Sequence, residues 1–559
     1  MDRTAAVGLD FVHHNGMSGD LFFSEILGPG SALFDADNDG DLDLYLVQGQ
    51  MLGAAKTLAD AVIPWKGEES PSDRLFRNEL EAGALRFTDI TSTSGLVSAE
   101  YGMGVAAGDI DNDGWTDLYV TNFGANRLWR NQGLDEQGQV TFRDLTAETG
   151  TGDERWSTSA AFLDFDRDGW LDLYVVNYTD FRLTNHQTCF TDLGRTDYCG
   201  PKTYRPETDR LFRNLGPGPD GHVEFADVSA EAGLLAAPGP GLGVITVDVD
   251  GDGWLDIYVA NDQARNHLWI NRGVAGSAPT LFREEALERG CAVDSQGRVQ
   301  ASMGVEAGDV DRDGSPDLFM THLLREVNTL YLNDGRGRFD DRSAASGLAG
   351  PSIGMTGFGA AMLDIEGDGW LDVLTVNGEV RIIKAQRLAG DPLPLRQPNQ
   401  LFLNREGRFV DVSDRVPALT VAGVSRGAAV GDVDNDGDPD VVVNNNSEAV
   451  QLLINPRDGG GAHWLGLRLV TETGRDALGA LVTLTRENEP PLIRWSRTDS
   501  SFLVARDPRV VFGLGSNPAV DRVVVRWPNG THEVFDQLEV DCYQTLRAGD
   551  GRPIAELSG

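Results

Sequence analysis

Four aspartates fall within nine residues, Asp109 to Asp117, in the run GDIDNDGWTDLYVTN. Carboxylates held so close repel one another unless a cation sits among them. They occupy positions 1, 3, 5 and 9, with a glycine at 6, so alternate residues of one tight loop can converge on a single ion. Calcium suits that donor set, because it takes six to eight hard oxygens at about 2.3–2.6 Å. Asp109, Asp111, Asp113 and Asp117 would supply carboxylates and Trp115 a backbone carbonyl. Gly114 would permit the sharp turn that a Cβ resists.

The run has six siblings, and the copies start at Asp35, Asp109, Asp164, Asp248, Asp309, Asp364 and Asp432, spaced by 74, 55, 84, 61, 55 and 68 residues. The remaining candidate ligands are Asp35, Asp37, Asp39 and Asp43; Asp164, Asp166, Asp168 and Asp172; Asp248, Asp250, Asp252 and Asp256; Asp309, Asp311, Asp313 and Asp317; Asp364, Glu366, Asp368 and Asp372; and Asp432, Asp434, Asp436 and Asp440. Up to seven calcium ions follow. An EF-hand needs Glu at position 12, where this chain has Leu46, Val120, Val175, Val259, Met320, Thr375 and Val443, so that reading is rejected. Asp-rich turns without metal are the alternative; they account for one copy better than for seven that share carboxylate positions. Seven divalent ions would offset about a third of the formal charge of −40.

These loops need a scaffold that repeats with them. Each is followed by a β-rich run such as LDLYVVN or PDVVVNN, then by a second pattern such as DRLFRN, NRLWRN or NQLFLN. Four short strands per unit, bounded by Gly, Asn and Asp, are the signature of a propeller blade. The expectation is an all-β chain, with a seven-bladed β-propeller over residues 1–457 and a small C-terminal β domain over 462–549. The Gly-rich RDGGGAH at 457–463 would be the joint. The N-terminal segment is a candidate to complete the last blade.

Composition narrows the function. With 87 acidic against 47 basic residues, the chain would be repelled by phosphate backbones and anionic lipid surfaces. No apolar run of 18 residues spans a membrane. The start, MDRTAAVGLDFVHHNG, lacks the basic and apolar regions of a signal peptide. Cys189 and Cys199 lie close enough for a short disulfide-closed loop in an oxidising compartment; the pairing of Cys291 and Cys542 is not legible. A zinc site at the first pair and His186 lacks further ligands.

Thirteen positions beyond each first aspartate stand Gln48, Asn122, Asn177, Asn261, His322, Asn377 and Asn445. In a propeller they would form a ring on the face opposite calcium, and Asn122, Asn177, Tyr178, Asn261, Asp262, His322 and Asn377 are the ligand-face candidates. Capping of strand ends is the plainer role for the amides. Long connections at 49–72, 178–208 and 378–398 would decorate the same face, and long loops on a rigid scaffold carry binding and catalysis. Trp115, Trp170, Trp254 and Trp370 recur at loop position 7, as expected of packing between blades. No phosphate-binding Gly-Lys-Ser/Thr loop, His-Glu-x-x-His pair or nucleophile elbow is present.

The motif YGMGVAAGDIDNDGWTDLYVTN resembles the FG-GAP/VCBS repeats of integrin α-subunit propellers. GRDALGALVTLT and DPRVVFGLGSNPAVDRVVVRWPNGTHEVF resemble the ASPIC/UnbV domain that ends the cartilage acidic protein family and its bacterial relatives. The opening GLDFVHHNGMSGDLFFSEILGPGSALFDADNDGDLDLYLVQG and YCGPKTY are similar to that family too. The resemblance implies an exported, calcium-binding propeller, secreted or periplasmic, and supplies no catalytic residues. Two functions follow: binding of a protein or glycan through the loop-rich face, or a cyclase- or lyase-type enzyme of a natural-product pathway with its pocket at the channel mouth. The ligand class stays open between protein, glycan and small molecule, with a monomer expected.

Overall fold

The computed structural model describes residues 1–80, 83–191, 194–219, 221–273, 282–456 and 461–554. Each acidic loop joins the first two strands of one antiparallel meander. The first strands are Ser31–Phe34, Gly102–Gly108, Ser157–Leu163, Gly241–Val247, Val305–Gly308, Gly357–Leu363 and Ser425–Gly431. The second strands, such as Asp117–Asn122 and Asp172–Asn177, are buried along their whole length. Their β-branched and aromatic residues meet a neighbouring sheet on either side. The first strands are rich in glycine and alanine because they converge on one axis, where side chains have little room.

The sheets close into a ring, and the last residue of the DRLFRN-type pattern shows how. Asn131, Asn214, Asn271, Asn333 and Asn404 each donate a side-chain amide hydrogen to a backbone carbonyl in the preceding acidic loop, at 2.8 Å: Ala36, Ile110, Phe165, Val249 and Val310. Asn455 does the same to Ile365 at 3.0 Å. Asn78, in the first sheet, reaches Val433 in the last loop at 2.8 Å and completes the circle. Apolar packing follows the same seam, with Leu33 and Leu44 in one core with Val433 and Val442. The N-terminus reinforces it: Asp2 bridges Leu453, and the Arg3 amide donates to Leu452 at 2.9 Å.

Residues His463–Pro553 form two further sheets around their own core, which includes Leu467, Val482, Phe512 and Val525. The expected joint lies partly at 457–460, outside the described residues. One stretch of this domain leaves it. Asp499–Ser500 and Val504–Ala505 form a hairpin that enters the propeller axis and pairs in parallel with Ser31 and Ala32. It bonds to every sheet in turn. Leu503 O accepts from the Val105 amide (3.2 Å), and the Leu503 amide donates to Ser159 Oγ (3.2 Å). Asp499 Oδ2 accepts from the Thr246 amide (2.7 Å), and Ser501 O from Val305 (2.9 Å). Ser501 Oγ accepts from Ala360 (3.0 Å) and Ala428 (3.4 Å). The first strands need glycine here: a Cβ on Gly30 would lie 2.0 Å from Leu503 O.

The other end of the axis is filled as well. Phe22, Phe23, Ile26 and Leu27 share one core with Phe502, Leu503, Phe358, Trp156, Tyr178 and Phe181. Arg426, fully buried, stacks 3.8 Å over Phe358 and donates from Nε to Ile26 O at 2.8 Å. This end of the channel, where the enzyme reading places its pocket, is packed with side chains.

Candidate metal centres and the surfaces around them

The seven loops share one internal wiring. The first aspartate accepts the amide of the position-6 glycine, at 2.7–3.2 Å. The ninth-position carboxylate is a brace: Asp117 accepts the Ile110 amide on Oδ2 (2.8 Å) and the Asn131 amide on Oδ1 (2.7 Å). Asp43, Asp172, Asp256, Asp317, Asp372 and Asp440 repeat that pair of bonds. Each ninth carboxylate thus ties its loop to the third strand of its sheet.

What the backbone leaves unsatisfied points to a cation. Oδ1 of Asp37, Asp111, Asp166, Asp250 and Asp434 is buried with no hydrogen-bond partner, as is Oδ1 of Asp35. Carboxylate oxygens of Asp109, Asp111 and Asp117 lie within 4.8 Å of one another, and equivalent trios recur at Asp164, Asp248 and Asp309. Burial, aided by like-charged neighbours, pushes Asp109 up to about 7, Asp35 and Asp309 to about 6, and Asp117 well above the usual carboxylate range. A cation at the focus reverses that penalty. All-oxygen donor sets of this kind can hold a hard metal ion. Glu366 gives both of its carboxylate oxygens to Arg405, in an exposed pair.

Arginine supports several of the centres from outside, as Arg289 does at Asp250 (2.9 Å). Arg130 pairs with Asp111 (2.5 Å) and Asp113 (2.9 Å), and Arg213 with Asp166 (2.6 Å) and Asp168 (3.2 Å). Arg130 and Arg213 hold Oδ2 and leave the buried Oδ1 of Asp111 and Asp166 for an ion, the outer-sphere arrangement that orients a ligand. Loops also hold each other. Asn38 Nδ2 donates to Gly114 O (3.0 Å), Asn112 to Gly169 O (3.1 Å) and Arg312 Nη2 to Asp368 O (2.8 Å). The position-7 tryptophans pack within this ring: Arg167 stacks 3.9 Å from Trp254 and Arg312 4.1 Å from Trp370.

The C-terminal domain covers this face. Arg526 Nη1 reaches Asp248 Oδ2 at 2.6 Å and Arg468 reaches Asp35 at 3.4 Å. Arg475 donates to Asn112 Oδ1 (2.8 Å) and Gly169 O (3.3 Å), and Arg494 to Gly369 O (3.2 Å). Arg509 donates to Asp432 O (2.8 Å), and Tyr543 Oη to Asp432 Oδ2 (2.7 Å). No local pattern in the chain marks these arginines; the only signal was the acidic ring's need for counter-charge.

The ligand-face candidates turn inward. Asn122, Asn177, Asn261 and Asn377 are fully buried, and their amides donate to Ala125 O, Asp153, Arg265 O and Pro398 O at 2.7–2.9 Å. Their backbone N–H groups are capped by Asn126, Asp209, Asn266 and Asn399, the first residues of the DRLFRN-type patterns. His322 is 1% exposed, with Nε2 against Thr329 Oγ1 at 2.9 Å, and burial lowers its pKa to about 4. Tyr178 Oη donates to Asp262 Oδ2 at 2.5 Å inside the packed end of the channel. The ring is a strand-end latch and presents no surface. Cys189 and Cys199 form a disulfide, while Cys291 and Cys542 are free.

The brace can be tested directly. Asp117→Asn keeps the volume but offers an N–H₂ to a backbone N–H, so unfolding in excess chelator should cost about 2–4 kcal/mol less than for the parent chain. Asp113→Asn, at an exposed position, should change it by less than about 1 kcal/mol. Equal urea midpoints for the two variants would remove the brace from the account.

Comparison with known proteins follows the same division. The profile for the FG-GAP-like repeat matches residues 109–175, 248–320, 309–375 and 394–443, and that for ASPIC and UnbV matches residues 470–553. Cartilage acidic protein 1 of Xenopus tropicalis is 24% identical over 528 residues, covering 90% of this chain and 71% of its own. The human protein of that name is 25% identical over 528 residues, covering 90% and 69%. Among solved structures, an Agrocybe aegerita lectin that recognises terminal N-acetylglucosamine is similar at TM-score 0.37 and 17% identity, over 71% of this chain and 93% of the lectin. No helix among the described residues is long and apolar enough to cross a membrane. The chain thus carries FG-GAP-like repeats and a C-terminal ASPIC/UnbV domain, and is similar to cartilage acidic protein 1 over 90% of its length.

Proposed function

We propose that this is an exported, calcium-binding propeller that engages an extracellular partner through the face opposite its metal loops. One observation carries the reading. The C-terminal domain lies over the acidic loops and its hairpin fills the axis, so the long connections at 49–72, 178–208 and 378–398 are the broad surface left to a partner. Calcium is the ion the loops suit: hard carboxylates, a carbonyl at position 7 and a buried, unpartnered oxygen at position 3. Export is supported by the Cys189–Cys199 disulfide. Loops of extracellular affinity, about 10⁻⁴–10⁻³ M, would also stay empty in cytosol.

Cross-linking the full chain to an extracellular extract, in calcium, tests which face is used. Adducts are expected on residues 49–72, 178–208 and 378–398. Adducts confined to residues 463–554 would overturn the assignment.

A further inference from the structure

The sixth acidic loop, from Asp364 to Asp372, keeps most of its siblings' wiring. Asp364 accepts the amides of Asp368 (3.0 Å) and Gly369 (2.7 Å), and Asp368 accepts that of Trp370 (2.9 Å). It departs at position 3. In five siblings that residue is an aspartate, Asp37, Asp111, Asp166, Asp250 or Asp434, whose buried Oδ1 has no hydrogen-bond partner. Here it is Glu366, with a side chain 38% exposed, against 13%, 9% and 14% for Asp111, Asp166 and Asp250. The arginine beside it is displaced as well. Arg130 and Arg213 precede the stapling asparagines Asn131 and Asn214, whereas Arg405 follows Asn404. The first two hold one oxygen of their aspartate, and Arg405 takes both oxygens of Glu366.

Protein lies against the same loop. The strand Val510–Gly515 of the C-terminal domain carries the FGLG run singled out in the sequence. The Gly515 amide donates to Gly367 O at 2.8 Å. A Cβ on Gly513 would stand 2.3 Å from Asp364 Oδ2 and 2.5 Å from the Gly367 carbonyl carbon, an approach that only glycine allows. Arg494 adds Nη2 to Gly369 O at 3.2 Å. Burial pushes Asp364 up to about 6, and the Arg494 guanidinium opposes that rise. Arg526, Arg475 and Tyr543 reach other loops by their side chains; at the sixth, main chain meets main chain.

Calcium affinity follows the number of charged ligands that a rigid loop aims at the ion. With Glu366 committed to Arg405, the sixth loop offers one carboxylate fewer than its siblings, and a guanidinium stands near Asp364.

We propose that the sixth loop has exchanged calcium for the C-terminal domain. At calcium concentrations that fill its siblings it binds no ion, and it serves instead as the socket for the FGLG strand. The proposal rests on the reading that the other loops hold calcium.

The test counts the ions bound by the full chain in equilibrium dialysis against radiolabelled calcium. Asp111→Asn is expected to lower the count by one and Glu366→Gln to leave it unchanged. Glu366→Asp combined with Arg405→Gln should raise it by one. A count that falls by one in Glu366→Gln would place an ion in the sixth loop and overturn the proposal. An unchanged count in the double variant would overturn the role given to Glu366. Gly513→Ala should lower the melting temperature equally in calcium and in excess EDTA. A larger drop in calcium would mean that docking needs the ion, and the socket would fall. A parent chain that binds no calcium would take down the calcium reading itself, and this contrast between loops with it.

Discussion

Replacing Phe502 and Leu503 with alanine in the full chain is expected to lower the melting temperature by about 4–7 °C. Both side chains are fully buried where the hairpin crosses the axis. Truncating a buried Phe or Leu costs roughly 2–5 kcal/mol each, and as neighbours they will not add simply. With an unfolding entropy of about 2.1 cal/mol/K per residue, a joint loss of on the order of 5–8 kcal/mol gives that shift. The hairpin touches all seven first strands, so the melt should also broaden as sheets lose their common contact. Ser501 and Leu503 lie at φ of 57° and 63°, conformations that cost non-glycine residues about 1–3 kcal/mol and persist only where the surroundings impose them. Val97→Ala, at an exposed position, is the control. A double variant that melts with the parent chain would mean that the hairpin is a passenger in the channel.

Chelation is expected to have an effect of similar size. With dissociation constants of about 10⁻⁴–10⁻³ M and millimolar calcium, mass action gives each site roughly 0.5–2 kcal/mol. Together the sites reach on the order of 5–10 kcal/mol, or about 4–9 °C. The position-4 links between loops predict that sites do not empty independently, because Asn38, Asn112 and Arg312 each hold a neighbouring loop's carbonyl. Differential scanning calorimetry in excess EDTA, with restoration by calcium but not by sodium at matched ionic strength, measures this. An unchanged melting temperature in EDTA would leave the loops as turns without metal.

Much of this architecture was legible along the chain. The carboxylate positions, the glycine at 6 and the strand that follows each loop are written within about fifteen residues, and they recur. The DRLFRN-type pattern was visible too, but its purpose was not. Its first residue caps the neighbouring strand end, as Asn126 caps Asn122. Its last residue staples one sheet to the loop of the sheet before it, as Asn131 does to Ala36. For Asn122 through Asn377 strand capping was the plainer reading beside a ligand ring, and their burial agrees with it.

What the sequence determined by itself is the repeating unit, because a strand, a turn and a cluster of like charge are local and each copy confirms the others. What only the tertiary structure decided is which surfaces survive assembly. DSSFLVARD reads as ordinary strand and turn, and its place inside the propeller depends on partners as far away in sequence as Ser31. Arg468, Arg475, Arg494, Arg509 and Arg526 share no spacing; they become one crown because a separate domain folds over a ring of carboxylates that needs counter-charge. Such features arise from closure of the ring, and closure has no local signature.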